Sequence, residues 1–196
     1  ALAAHEAGAT VLIAERETRL SGSTALSSGL IPAAGTRAQQ LQQINDSEED
    51  IFCADILHKN RDSADPIYVQ QIVQQISKTI DWLSESYNIP FRVLDNFLYP
   101  GHSNHRMHAV PETTGIGLIN RLEAAVDAED IFVVTDALIT DLIVDKNDMA
   151  LGALCQRPNK DVENIAASSV ILACNGYGGN PDLIAKHIPE MKDALY

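Results

Sequence analysis

The opening of the chain limits its fold more than any other stretch. Ala1-Leu2-Ala3-Ala4-His5-Glu6-Ala7 is Ala-rich and favours helix, Gly8 stands where a helix ends on a left-handed glycine, and Thr10-Val11-Leu12-Ile13-Ala14 is a short apolar run suited to a buried parallel strand. Glu15 closes that run. A helix that passes through a glycine into an apolar strand ending on an acid reads as the second half of a dinucleotide-binding βαβ unit. There the acid accepts hydrogen bonds from the adenosine ribose hydroxyls, and a glycine-rich turn before the helix brings backbone N–H groups to the pyrophosphate. No G-x-G-x-x-G turn precedes the helix in this sequence, so an ordinary helix–strand pair with a surface Glu stays open at this point. On the dinucleotide reading the chain starts inside the helix, and the first strand and its turn are expected to be lost.

The residues after Glu15 favour the cofactor. Ser21-Gly22-Ser23-Thr24-Ala25-Leu26-Ser27-Ser28-Gly29 is crowded with small side chains, which let a flat cofactor lie against backbone. Glu15, Gly22, Ser23, Thr24, Ser28 and Gly29 fall on the spacing E-x(6)-G-[N/S]-[S/T]-x(3)-[S/A]-G. In this the chain resembles the fumarate reductase/succinate dehydrogenase family of FAD-dependent oxidoreductases, which includes 3-ketosteroid dehydrogenases. The resemblance implies that the loop wraps the pyrophosphate and the isoalloxazine edge, and that Glu15 holds the FAD ribose.

Ser169-Val170-Ile171-Leu172-Ala173-Cys174-Asn175-Gly176-Tyr177 is similar to that family's apolar strand ending in A-T-G-G-[F/Y], which returns beside the glycine-rich turn. Ala173 and Cys174 are thereby implied at the cofactor. Asn175 replaces a glycine, so the position needs either a left-handed backbone, which Asn accepts better than most residues, or a shifted loop. The backbone around Leu138 falls where the family makes an adenine contact.

With 196 residues, 45% of them hydrophobic, the chain can bury a full core. A net charge of −13 argues against nucleic acid or an anionic membrane as partner, since both select basic patches. No apolar run reaches the ~20 residues of a membrane span, and the first residues lack the charged region of a signal peptide. Cys53, Cys155 and Cys174 form no C-x-x-C, which fits reduced thiols and leans towards the cytoplasm.

Ser47-Glu48-Glu49-Asp50 has the acids of a helix start, leading into Ile51, Phe52, Ile56 and Leu57. Asp65-Pro66 is a second start with Pro at N1. Val69, Ile72, Val73, Ile76, Ile80 and Leu83 then recur at three- and four-residue spacings and predict an amphipathic helix to about Ser86. Residues 87–114 are broken by Pro90, Pro100, Gly101 and Pro111, with Phe91–Leu94 suited to a strand. A helix from Thr113 to about Ala128 follows, with Ile119, Leu122 and Val126 inward, then a strand at Ile131–Thr135. Runs at 139–144, 150–156 and 164–173, with a turn at Asp145–Asp148, predict a β-meander. The expected fold is α/β: an incomplete Rossmann-like FAD-binding domain with a β-meander (1–46 and 129–196), plus an inserted α+β capping domain (47–128).

Gly101-His102-Ser103-Asn104-His105-Arg106-Met107-His108 gathers three imidazoles and a guanidinium. The planar fork of Arg matches a carboxylate, and in the resembled family a similar stretch lies in the cap before a T-G pair, here Thr114-Gly115. His105, Arg106, His108 and Thr114 are therefore candidate substrate contacts, and a polar loop tying down local backbone is the alternative. No acid or cysteine completes a metal shell at ligand spacing, and no metal is expected. If the resemblance holds, the parent passes hydride between FAD and an activated C–C bond of a small unsaturated substrate, with an unspecified electron donor or acceptor. In that family the catalytic residues follow the A-T-G-G-[F/Y] strand, beyond Tyr196, so no catalytic residue is expected in this chain and the polypeptide alone is expected to be inactive. An NAD-binding dehydrogenase fragment and a non-catalytic remnant are the competing readings.

Overall fold

The structure, a computed structural model, describes residues 1–47 and 51–194. The expected acids of a helix start at Glu48, Glu49 and Asp50 lie outside the described residues. Two compact units are present, Ala1–Thr135 and Asp136–Tyr196.

In the first unit, helix α1 (Leu2–Glu6) ends through Gly8 at φ +85°. The Ala9 N–H donates to the Ala4 carbonyl at 3.0 Å and the Gly8 N–H to that of His5 at 2.8 Å, the paired bonds of a Schellman motif that only an unhindered left-handed residue closes cheaply. Strand β1 (Leu12–Ala14) follows and pairs in parallel with β5 (Phe132–Val134), Ile13 opposite Val133. The Glu15 N–H extends the ladder to the Val134 carbonyl at 2.9 Å. Glu15 therefore stands at the carboxyl end of a parallel pair.

Helix α2 (Gly22–Leu26) buries no residue of its own. Strand β2 (Ile31–Pro32) leads to α3 (Arg37–Leu41), which starts in a capping box formed by Thr36 and Gln39. Helix α4 (Cys53–Lys59) precedes α5 (Pro66–Tyr87), where the Asp65 side chain accepts from the Ile67 N–H at 2.9 Å and Asn88, at φ +53°, ends the helix. Val69, Val73, Ile80 and Leu83 are buried as the spacing predicts, but Ile72 is exposed. Four turns bury a stripe narrower than the run of apolar residues. Trp82 Nε1 and the Tyr87 hydroxyl both donate to the Glu6 carboxylate, which fixes the end of α1 to α5.

Strands β3 (Arg92–Val93) and β4 (Met107–Ala109) form with β2 an antiparallel sheet in the order β2-β4-β3. Helix α6 (Gly115–Ala128) is capped by Thr114, whose hydroxyl accepts from the Gly117 N–H at 3.2 Å. Leu118, Ala125 and Val126 of α6 join Leu2, Leu83, Ile89, Val110 and Ile131 in the larger core, while Ile119 and Leu122 are half-buried. Ala34, Phe52, Cys53, Val69 and Val73 make a second core under α4 and α5. The first compact unit runs through Thr135 and includes residues 47–128 together with the segment before them. The physical reason is the pairing of Ile31 with His108 and the burial of Arg106 against Asp46, which join 47–128 to the segment before it.

The second unit is built on the expected meander. Strands β6 (Leu138–Val144), β7 (Ala150–Gln156) and β8 (Val162–Ala166) pair antiparallel in sequence order. Asp145 makes the first turn, its Oδ1 accepting from the Asn147 N–H at 2.8 Å and the Met149 N–H at 2.9 Å. The expected strand at 169–173 differs. Those residues carry no strand, and Ile171 and Leu172 are 76% and 66% exposed. An apolar run becomes a strand only where a neighbour takes up its backbone N–H and C=O groups, and no described strand pairs with it. Helix α7 (Pro181–His187), capped by Asn180, follows.

Candidate functional site

The first unit brings the small-residue loop onto the start of α6. The Gly115 N–H donates to the Ser27 carbonyl at 2.8 Å, and a Cβ on Gly115 would lie 1.6 Å from the Thr24 carbonyl oxygen. Gly29, buried at φ +65°, closes the contact from the other side: a Cβ there would lie 2.8 Å from the Thr114 carbonyl oxygen. Within the loop the Ser27 hydroxyl donates to the Thr24 carbonyl at 2.7 Å and accepts from the Gly29 N–H at 3.0 Å.

The outer surface of this loop suits a flat anionic cofactor. Gly22 holds φ +68° with no atom within 4 Å of where a Cβ would stand, so backbone there is open to close approach. Ser23, Thr24 and Ser28 are exposed. Half-buried Glu15 accepts from the Glu17 N–H at 2.9 Å. Its place beyond the carboxyl end of β1 is where ligands bind in open parallel sheets. The residues present thus fit an adenine dinucleotide.

The His/Arg stretch has a different occupation from the one the sequence suggests. Arg106 is fully buried. Its Nε and Nη2 donate to the two oxygens of buried Asp46 at 2.9 and 3.0 Å, its Nη1 donates to Asp55, and its Cζ stands 4.5 Å over the Phe52 ring. Burial opposes the Arg106 charge, but the bonds to Asp46 and Asp55 outweigh it and hold the guanidinium pKa above its ordinary value. Burial likewise pushes Asp55 up, while hydrogen bonds from Ser103 and Arg106 bring its carboxyl below the usual range. Arg106, expected as a substrate contact, is thus held inside the first unit by two carboxylates. Each of its three nitrogens donates to one of two carboxylates.

His108 is also fully buried. Its Nδ1 lies 2.9 Å from the Arg106 carbonyl oxygen, which can only accept, so Nδ1 carries the proton. Nε2 then accepts from the Thr36 hydroxyl at 2.7 Å, while that hydroxyl accepts from the Gln39 N–H at 3.2 Å. Burial holds the His108 pKa below the ordinary imidazole value, against the opposing pull of the Arg106 carbonyl. His108, expected as a substrate contact, shares that buried frame with Arg106. His105 is half-buried, with its Nδ1 buried and lacking a hydrogen-bond partner among the described residues, and its carbonyl accepts from Gln39 Nε2 at 2.8 Å. Gln39 Nε2 also reaches Asp46, at 3.1 Å. Thr114 caps α6 beside the loop. Asp46, Asp55, Phe52, Thr36 and Gln39 were not foreseen. They lie tens of residues from Arg106 and His108, and no spacing signal links them.

In the second unit, Leu138 opens β6 opposite Gln156 with its side chain exposed, and Ala173 and Cys174 are exposed. Asn175 adopts φ +64°, the left-handed alternative required by Asn in place of Gly. Among the described residues no group of three or more His, Cys, Asp or Glu is placed to hold a metal ion, and no helix is long and apolar enough to cross a membrane.

The sequence model of the FAD binding domain family matches residues 1–195. The chain is 29% identical over 98% of its length to a probable fumarate reductase of Shewanella frigidimarina, covering 32% of that protein. It is 25% identical over 97% of its length to an NADH:fumarate oxidoreductase of Klebsiella pneumoniae, covering 20%. A flavocytochrome c3 fumarate reductase in its open conformation superposes on 98% of the chain with a TM-score of 0.87 at 27% identity, the chain covering 34% of it. A 3-ketosteroid dehydrogenase of Rhodococcus jostii shares the fold, with a TM-score of 0.80 over 97% of the chain at 20% identity and 46% of its own length covered. The chain thus spans a fifth to a third of the curated relatives. Of the two dinucleotides left open by the sequence, FAD is the one the family model names. With its mixed α/β fold, the chain belongs to the FAD binding domain family, within the FAD-dependent fumarate reductase/succinate dehydrogenase flavoproteins.

Proposed function

We propose that this chain holds FAD for an oxidoreductase that transfers hydride between the flavin and an activated C–C bond of a small, unsaturated, carboxylate-bearing substrate. The observation that carries the reading is Glu15 at the carboxyl end of β1, in register with the open Gly22 backbone and the exposed Ser23, Thr24 and Ser28. FAD supplies the two-electron chemistry when bound, and the chain supplies binding and orientation.

The Glu15 carboxylate accepts the ribose hydroxyls. Ser23, Thr24 and Ser28 offer hydroxyl donors to the pyrophosphate, and Gly22 and Gly29 let backbone come close. His105 and Thr114 remain substrate-side candidates.

The names of the relatives favour a short dicarboxylate such as fumarate. The test is to purify the full-length protein, record the flavin band near about 450 nm, and assay fumarate, urocanate and a 3-ketosteroid with a reduced or oxidised dye as electron partner. A yellow protein that reduces fumarate supports the reading. A colourless one that takes up NAD and ignores FAD overturns it.

A further inference from the structure

We infer that Gly115, with Thr114 as its helix cap, is the positioning residue of the cofactor loop: the first turn of α6 sets where Ser23, Thr24 and Ser28 stand. The inference rests on the FAD reading above and adds to it a residue about ninety positions from the loop. Three observations carry it.

The first is clearance. A Cβ on Gly115 would sit 1.6 Å from the Thr24 carbonyl oxygen and 2.8 Å from that of Ser27. Both atoms are backbone, so no side-chain rotation relieves the overlap, and α2 must move as a body if Gly115 gains a methyl group. The second is direction. The Gly115 N–H, at the open end of α6, donates to the Ser27 carbonyl at 2.8 Å, and the Thr114 hydroxyl holds that end in place through the Gly117 N–H. The loop also reaches back, since Gly29 can carry no Cβ without meeting the Thr114 carbonyl oxygen at 2.8 Å.

The third is the shortness and exposure of α2 itself. It is five residues long, buries none of them, and its N-cap Ser21 makes no side-chain capping bond. A helix that short is marginal alone. Its close seat on the first turn of α6 adds a fixed contact to it.

The experiment compares wild-type full-length protein with Gly115→Ala, and with Ile116→Ala as a control on the exposed side of the same turn. FAD affinity is titrated on apoprotein, and the visible circular dichroism of the bound flavin reports its surroundings. Gly115→Ala is expected to raise the FAD dissociation constant about tenfold or more and to alter the flavin dichroism, with far-UV dichroism unchanged. Ile116→Ala is expected to match wild type. If Gly115→Ala does not fold, Thr114→Ala is used with Thr114→Ser. Loss of the cap alone is expected to weaken FAD several-fold, and the hydroxyl of Ser to restore it. Wild-type flavin affinity and dichroism in Gly115→Ala, or in Thr114→Ala where that replaces it, overturn the positioning role while leaving the FAD reading intact. Failure of wild type to bind FAD overturns the FAD reading itself.

Discussion

Arg106 and Asp46 meet as a two-point pair with no exposed side-chain surface on either residue, Nε and Nη2 each facing its own carboxylate oxygen. A charge so placed is worth more to keep than to make. Removing one partner leaves the other buried and unpaired, which typically costs about 3–5 kcal/mol. Arg106→Ala is expected to lose stability of that order in urea denaturation. Arg106→Lys is expected to recover only part of it, because an ammonium cannot fork onto two oxygens. A loss under about 1 kcal/mol for Arg106→Ala, the scale of an exposed pair, would contradict the buried assignment.

The imidazoles of His102 and His108 make stability depend on pH. Burial lowers both, with the Arg106 charge adding to the effect at His102 against Asp55 and Asp46. The unfolded chain titrates them near the ordinary value of about 6.5 and therefore binds more protons than the folded chain just below that pH. Stability rises with pH wherever that holds, so this contribution is fully present above about 6.5 and is lost as pH falls below it. Melting temperatures measured from neutral to mildly acidic pH are expected to fall on the acid side, and His108→Gln is expected to flatten part of that slope.

Part of the fold is written in local chemistry and part is not. Asp65-Pro66 announces α5, Gly8 ends α1 and Asp145–Asp148 turns the meander, because each acts on backbone within four residues. The partners of Arg106 are Asp46 and Asp55, sixty and fifty-one positions away, and a charge pair of that separation leaves no periodic trace. The same reasoning explains why the guanidinium reads as a substrate clamp from sequence: spacing identifies the fork and says nothing of what fills it. Segment 169–173 shows the converse, with strand composition but no described partner strand. At the candidate site, Glu15 and the loop spacing were legible from their register, whereas the demand for Gly at 115 comes from a carbonyl contributed by Thr24.

Glu15→Gln tests the ribose assignment. The amide keeps an acceptor but loses the charge that makes such a bond strong, a difference of about 1–2 kcal/mol. FAD affinity of the full-length protein is expected to fall roughly tenfold with little change in melting temperature, since the carboxylate is only half-buried. Unchanged affinity in a flavin titration would remove Glu15 from the site.

Gly152→Ala probes the second unit. A Cβ at Gly152 would stand 2.1 Å from the Ile165 carbonyl oxygen across the β7–β8 ladder. Forcing an atom into such a gap typically costs about 1–3 kcal/mol. Hydrogen exchange is expected to accelerate at β7 and β8 and to stay near wild type in α5. Wild-type exchange at β7 and β8 would show that the ladder tolerates the methyl group.

The seat of α2 on Gly115 bears on transplantation. Residues 21–29 look like a portable module, a short stretch in which Gly22, Ser23, Thr24, Ser28 and Gly29 match a cofactor spacing. Their shape is nevertheless borrowed from a helix that begins at the far end of the unit's sequence. Grafted into another scaffold without that helix, the segment would carry its letters and lose a contact that shapes it, so the loop is best moved together with Thr114 and α6.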